Sequence, residues 1–291
     1  LMPDSETLDP SERVRLMKDG LVNCSEFLLA GILGVFMIPI LLRGLGAQAY
    51  GLWIGAMAVG VMAQIFDIGL DFSVTREVAA DSGRERKGAA GFVRAAANAE
   101  LLFAAAGAAL IAALGLPLSR GFHLSEEHQR VAPLIFACAG IGYFADRMMS
   151  LAAAVLTGLR RFDVVNKIGI TGAVLRALGL LAVLTAGGGL PQVAAWQAAI
   201  TLAPALAALC AMGRIEPRYR FRLAAPSWDV LRPHLSTSFT AAGALAIGGV
   251  YWQMPQLLLG LVGGTAWIAQ YHIAQKFPMA VMAITGRAGG A

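Results

Sequence analysis

The sequence predicts an all-α protein, a polytopic membrane helical bundle. Hydrophobic residues make up 57% of the chain and charged residues only 14%, against roughly 45–50% and 25% in soluble domains. Mean hydropathy is +0.66. The apolar runs reach the ~20 residues that a helix needs to cross a membrane, whereas strands of an outer-membrane barrel are ~10-residue alternating segments. A bundle of about eight transmembrane helices is therefore expected.

The chain opens with a polar segment, residues 1–20, that lacks the basic-then-apolar order of a cleavable signal. It is interpreted as a cytoplasmic segment, and the first apolar run, about residues 21–42, as a membrane anchor. A glycine-rich turn at residues 43–46 leads to a second run at about residues 50–72. Both runs are long enough to cross the hydrocarbon core at about 1.5 Å per residue, so the turn is expected at a membrane surface.

The same turn matches a dinucleotide-binding fingerprint through Gly44, Gly46 and Ala49. That fingerprint binds a pyrophosphate where a short strand leads into it and a helix follows, inside alternating strand and helix units. Here apolar runs of ~20 residues flank the turn on both sides. No nucleotide or other cofactor is therefore expected.

Four further apolar runs complete a first six-helix bundle, residues 21–212. Short polar or glycine-rich loops separate them, and they cover about residues 89–116, 131–157, 168–186 and 192–212. Residues 213–229, in which arginines alternate with aromatic residues, are predicted to form a cytoplasmic linker. Residues 230–291 are predicted to hold the first two helices of an incomplete second bundle.

Arginine and lysine residues are distributed unevenly between the two sets of loops. The loops that begin at Arg76, Gly158 and Arg214 are basic, whereas the opposite side carries few cations. Positively charged loops stay in the cytoplasm, so the N-terminus and these three loops are expected inside. The net charge of +5 is spread over short loops rather than gathered on one soluble face. Contact with membrane lipids is expected, and nucleic-acid binding is not.

The positions of cysteine and histidine argue against a metal site. The three cysteines are odd in number and widely spaced in apolar surroundings, and the four histidines show no zinc-ligand spacing. Both sets are interpreted as packing or surface residues, and no metal is expected.

Three cations lie near the middles of apolar runs: Arg147, Arg176 and Lys276. An ionisable side chain within a membrane span costs several kcal/mol unless it faces water or a partner, so each is a candidate functional group. We predict that these cations surround a central cavity that receives an anionic substrate.

Acidic and polar groups accompany the cations inside the spans. The candidates for a coupling-ion site or an ion pair are Asn23, Glu26, Glu100 and Asp146. A competing interpretation uses the charged groups structurally, with Arg147 or Arg176 paired to Glu100 or Asp146 so that internal ion pairs hold the bundle together.

Four short motifs occur in the order, and between the spans, that are typical of one family. They run from Arg43 to Trp53, from Asp67 to Arg76, from Gly158 to Phe162 with Asn166, and from Tyr271 to Lys276. Through them nearly the whole chain resembles the polysaccharide transporter family. That family includes the lipid-linked oligosaccharide (O-antigen) flippases, and it belongs to the larger group that also holds the multidrug and toxic-compound extruders.

The resemblance implies two six-helix halves around a central cavity. Pro255 and Gly260 echo Pro39 and Gly44 after six spans, as an internal repeat would require. The resemblance also implies about four more helices, so the chain is expected to be C-terminally truncated. The 291-residue form is predicted not to transport alone, because alternating access needs both halves.

The function that the resemblance implies is movement of a polyprenyl-diphosphate-linked oligosaccharide across the bacterial cytoplasmic membrane for polysaccharide biosynthesis, without covalent chemistry. The expected partners are this lipid-linked substrate, membrane lipids and other polysaccharide-assembly membrane proteins. One alternative is a multidrug extruder, which would favour an acidic cavity for cationic substrates. A membrane glycosyltransferase or acyltransferase is disfavoured, since the chain has no Asp-x-Asp motif and no sizeable soluble domain. The last alternative is a truncated, non-transporting membrane protein.

Overall fold

The computed structural model describes residues 29, 31–66, 69–82, 89–224 and 227–288. Within these ranges the chain is helical and contains no strand, which confirms the predicted fold class. Nine α-helices are present in the described ranges: α1 Gly31–Leu45, α2 Ala47–Met62, α3 Leu70–Ser82, α4 Ala89–Gly121, α5 Glu126–Gly158, α6 Phe162–Thr185, α7 Leu190–Ile215, α8 Trp228–Gly263 and α9 Thr265–Ala288.

Four of these helices, α4 to α7, are long and apolar enough to cross a membrane by length and composition. The shorter helices α1 and α2 are also apolar. In the helix bundle, α5 packs against α3, α4 and α7. Small residues permit the close contacts, because a Cβ added to Gly140 of α5 would lie 2.6 Å from the carbonyl oxygen of Ala108 in α4.

The second predicted span is divided in the structure. Helix α2 ends at Met62, a 3-10 turn covers Ala63–Phe66, and α3 starts at Leu70. At this break the hydroxyl of Tyr143 in α5 donates a hydrogen bond of 3.1 Å to the carbonyl oxygen of Ala63. A backbone carbonyl released inside an apolar bundle needs such a partner, so Tyr143 stabilises the interruption.

Helix α3 is short and polar on one side. Of its 13 residues, Leu70, Val74 and Val78 are fully buried and belong to an apolar cluster that includes residues of α4 and α5. Arg76 and its charged neighbour Glu77 lie on the less buried side. The segment that we predicted to be a charged loop from Arg76 is therefore helical as far as Ser82.

Two turns have the same unusual backbone conformation. Gly46, before α2, has φ 80° and ψ 163°, and Gly264, before α9, has φ 81° and ψ 176°. This region is open essentially only to glycine. The turns before α2 and α9 thus have the same backbone conformation, and the internal repeat stays a prediction.

Residues of the predicted linker contact α3 and α4. Asp81 of α3 accepts a hydrogen bond of 2.8 Å from the Tyr219 hydroxyl and forms a 3.0 Å ion pair with Arg218. Burial, together with the hydrogen bond to Asp81, raises the pKa of Tyr219. Asn98 of α4 donates to the carbonyl of Arg222 at 3.0 Å and accepts from the backbone N–H of Ala224 at 2.8 Å. The linker backbone is therefore fixed to α3 and α4.

Candidate functional site

A cavity of ≈ 290 Å³ lies between α1, α2, α6, α7 and α9. Its apolar wall includes Ile38, Leu41, Ile54 and Leu180. The polar side chains that line it are Tyr50, Trp53, Arg176, Gln197, His272 and Lys276. Two of the three predicted cavity cations are thus among the described lining residues, and none of these lining residues is acidic.

The polar side chains that line the cavity come from different helices. Arg176 is on α6, whereas His272 and Lys276 are one helical turn apart on the same face of α9. The hydroxyl of Tyr50, on α2, is 3.0 Å from Nδ1 of His272. This hydrogen bond joins α2 to α9, so helices that are far apart in the sequence line the cavity together.

Three polar atoms of the lining side chains are buried without a hydrogen-bond partner in the described part of the chain. They are the indole Nε1 of Trp53, the guanidinium Nε of Arg176 and the amide Oε1 of Gln197. A buried polar atom that lacks a partner costs about 1–3 kcal/mol. A molecule that reached these atoms from the cavity would relieve this cost.

Arg147, the third predicted cavity cation, occupies a different place. Its Nε donates to Oε1 of Glu100 at 2.7 Å, and its Nη2 donates to Oδ2 of Asp71 at 3.1 Å. The hydroxyl of Ser150 donates to the same oxygen of Asp71 at 2.5 Å. Arg147 is 8% exposed and Glu100 1% exposed. We call these four side chains the buried ion-pair network, which joins α3, α4 and α5.

The other predicted acidic and polar groups lie in several places. Asn23 and Glu26 lie outside the described residues. Asp146 is exposed on the surface of α5, and its carboxylate interacts electrostatically with Arg176 and Arg147. A coupling-ion role for Glu100 or Asp146 stays a prediction, while the contact of Glu100 with Arg147 is one that the competing ion-pair interpretation named.

Several residues that line the cavity were not predicted as site residues from the sequence. Tyr50 and Trp53 were noted only as part of a motif, Gln197 was not considered, and His272 was interpreted as a packing or surface residue. One signal could have identified His272, because it precedes Lys276 by four residues and so shares its helix face. Asp71 was interpreted as a helix-end group or a partner of Arg76, and its contact with Arg147 was not predicted, although Asp71 lies three residues before Val74 on the side of α3 that packs inward.

The described ranges contain no group of three or more His, Cys, Asp or Glu side chains that could hold a metal ion. Cys138 is buried, Cys210 is exposed, and both are free thiols. The polar chemistry of the cavity is therefore that of cations, amide and aromatic N–H or O–H groups.

Comparison with known families matches residues 16–289 to a family described as polysaccharide biosynthesis protein. No curated protein and no solved structure matches the chain. The family match covers nearly all of the chain, including every described helix. Together with the long apolar helices, it identifies a multi-pass membrane protein. The chain therefore belongs to the polysaccharide biosynthesis protein family.

Proposed function

We propose that this protein is a flippase, which moves a polyprenyl-diphosphate-linked oligosaccharide across the bacterial cytoplasmic membrane for polysaccharide biosynthesis. The observation that supports the proposal most directly is the cavity lined by α1, α2, α6, α7 and α9. Its described lining contains Arg176, Lys276 and His272 but no carboxylate. The family match to polysaccharide biosynthesis proteins agrees with a glycan-bearing substrate.

The role of the two cations follows from the cost of moving an anion into a membrane. A diphosphate that leaves water loses its hydration, and fixed cations near the middle of the bundle replace part of that solvation. Arg176 can donate several N–H groups in a planar fork, and Lys276 provides a compact charge. We assign both side chains to the diphosphate of the substrate.

Arg147 has another role in this proposal. Its guanidinium already contacts the carboxylates of Glu100 and Asp71, and it is not among the lining residues of the cavity. We assign Arg147 to holding α3, α4 and α5 together rather than to the substrate. No covalent chemistry is needed, so the proposal names no catalytic residue.

The proposal is tested by measuring how the 291-residue chain in lipid nanodiscs binds a radiolabelled polyprenyl diphosphate. Replacing Arg176 or Lys276 by Gln should weaken binding roughly tenfold or more, since a hydrogen bond to a charged group contributes ~1.5–3 kcal/mol and 1.4 kcal/mol is tenfold. The matched control is Arg130→Gln, which removes an exposed cation outside the cavity. It should leave the affinity unchanged.

Two results would contradict the proposal. The first is equal affinity of the wild-type chain, Arg176→Gln and Lys276→Gln for the diphosphate lipid. The second is tight binding of a lipophilic cation such as tetraphenylphosphonium in competition with that lipid. An extruder of organic cations would give the second result, because its cavity must attract positive charge.

The proposed orientation puts the N-terminus and the linker in the cytoplasm, with the turn between α4 and α5 outside. In a chain whose own cysteines are replaced, a cysteine at the exposed position Gln129 should react with a membrane-impermeant maleimide added to intact cells. A cysteine at the exposed position Arg214 should react only after the cells are opened. Labelling in the reverse pattern would show that the orientation is wrong.

A further inference from the structure

The diphosphate proposed above leaves part of the cavity chemistry unexplained. A diphosphate at neutral pH accepts hydrogen bonds and has almost no hydrogen to donate. It can satisfy the Nε–H group of Arg176, which has no partner within the described residues. It cannot satisfy Oε1 of Gln197, which is also without a partner there, because a carbonyl oxygen needs a donor.

A sugar ring has the complementary chemistry. Each hydroxyl both donates and accepts a hydrogen bond, so neighbouring hydroxyls can serve Gln197 and Trp53 together. The C–H bonds of the ring need an apolar or aromatic surface, which the indole of Trp53 supplies. That indole is held in place by Tyr50, whose ring centroid is 6.0 Å away at an interplanar angle of 57°.

The size of the cavity limits what can occupy this part. Its volume is ≈ 290 Å³, at the lower end of the ~300–1,000 Å³ typical of small-molecule sites. This volume suits one sugar ring better than an extended oligosaccharide. The cavity wall also continues into apolar residues of α1, such as Leu33 and Met37, which can contact the lipid part of a substrate.

We infer that Trp53 and Gln197 form a subsite for the sugar ring that adjoins the diphosphate, and that this subsite determines which lipid-linked glycan the protein accepts. The inference rests on the proposed function, since it places a sugar beside the diphosphate bound by Arg176 and Lys276. In this arrangement Arg176 contacts both the diphosphate and the sugar ring, because its Nε and its terminal nitrogens point in different directions from one planar group. The polar wall thus divides into an anion-binding part and a hydroxyl-binding part.

The test compares sugar-free polyprenyl diphosphate with the same lipid carrying a single glucose, galactose or N-acetylglucosamine residue. The wild-type chain in nanodiscs should bind at least one of the three glycosylated lipids roughly fivefold or more tightly than the sugar-free lipid. Gln197→Met and Trp53→Phe should each reduce this gain strongly while affinity for the sugar-free lipid stays within about twofold. The matched control is Gln270→Met, an exposed amide on α9 outside the cavity.

Thermal stability separates recognition from a structural role. Gln197→Met removes a buried carbonyl that has no partner in the described structure, so its melting temperature should stay the same or rise. A lowered melting temperature with equal losses for both lipids would show that Gln197 acts structurally, and it would overturn the subsite. Binding of the sugar-free lipid without any gain from the three sugars would also overturn it, while leaving the proposed function intact. Failure of the wild-type chain to bind either lipid would reject both.

Discussion

Replacing Arg147 by Gln should destabilise the protein by roughly 3–5 kcal/mol, which is the usual cost of removing one partner from a buried ion pair. The change leaves the carboxylate of Glu100 in a site that is 1% exposed, without the guanidinium 2.7 Å away. Asp71 contributes less to this loss, because 25% of its side chain is exposed and solvent screens its charge. The measurement is thermal or denaturant unfolding of the detergent-solubilised chain.

A double-mutant cycle identifies the cause of the loss. If the uncompensated carboxylate is responsible, Glu100→Gln added to Arg147→Gln should restore much of the stability. The control is Arg161→Gln, which breaks an ion pair with Asp163 whose side chains are 43% and 54% exposed. Exposed pairs contribute little to stability because solvent screens their charges, so this control should unfold almost as the wild type does. A stable Arg147→Gln variant that has lost lipid binding would instead place Arg147 in the substrate site.

The break between α2 and α3 could not be predicted from the sequence. The apolar run continues through residues 63–66, so hydropathy alone predicts one uninterrupted span. What permits the break is a distant residue, since the Tyr143 hydroxyl binds the Ala63 carbonyl across 80 positions of sequence. Backbone interruptions of this kind depend on tertiary contacts that a local pattern does not contain.

Several helix ends differ from the predicted spans, because α5 starts at Glu126 rather than near residue 131 and α6 starts at Phe162 rather than near residue 168. The third span was predicted to end near residue 116, but α4 continues to Gly121 with Pro117 inside it. A proline removes one backbone N–H from the helix, and a bundle can tolerate that loss where neighbouring groups compensate. Proline alone is therefore a weaker stop signal in membrane helices than in soluble ones.

The sequence predicted which charged residues could belong to the candidate site, but it did not predict how they are arranged in space. Arg147, Arg176 and Lys276 are equivalent in the sequence, because each is a cation within an apolar run. Their difference arises from the neighbours that the fold supplies, namely Glu100 and Asp71 for Arg147 and the cavity for the other two. Spacing within one helix cannot give contacts between helices.

A second large effect is expected at Gly51, where α2 meets α9. A Cβ added to Gly51 would lie 1.8 Å from the carbonyl oxygen of Thr265 and 2.5 Å from its carbonyl carbon. These are backbone atoms at the start of α9, so no rotamer change can relieve the overlap. Ordinary contact would require the two helices to separate by well over 1 Å.

Gly51→Ala should therefore lower the stability by about 1–3 kcal/mol, the usual cost of overpacking, and should also weaken lipid binding. Alanine improves helix propensity by only about 0.8–1 kcal/mol over glycine. The steric cost is expected to exceed this gain, so the net effect on stability is a loss. Separation of α2 from α9 would break the 3.0 Å contact between Tyr50 and His272 and widen the cavity. Unfolding temperature and affinity for the polyprenyl diphosphate measure the two effects.

The matched control is Gly60→Ala on the same helix, because a Cβ at Gly60 would have no atom within 4 Å in the described structure. This substitution gains helix propensity without a clash, so it should leave the stability unchanged or raised and the affinity intact. The comparison is informative because both changes add one methyl group to α2. If Gly51→Ala unfolded at the same temperature as Gly60→Ala and bound the lipid equally well, the close contact between α2 and α9 would be absent from the folded protein. The cavity that α2 and α9 line would then have a different wall.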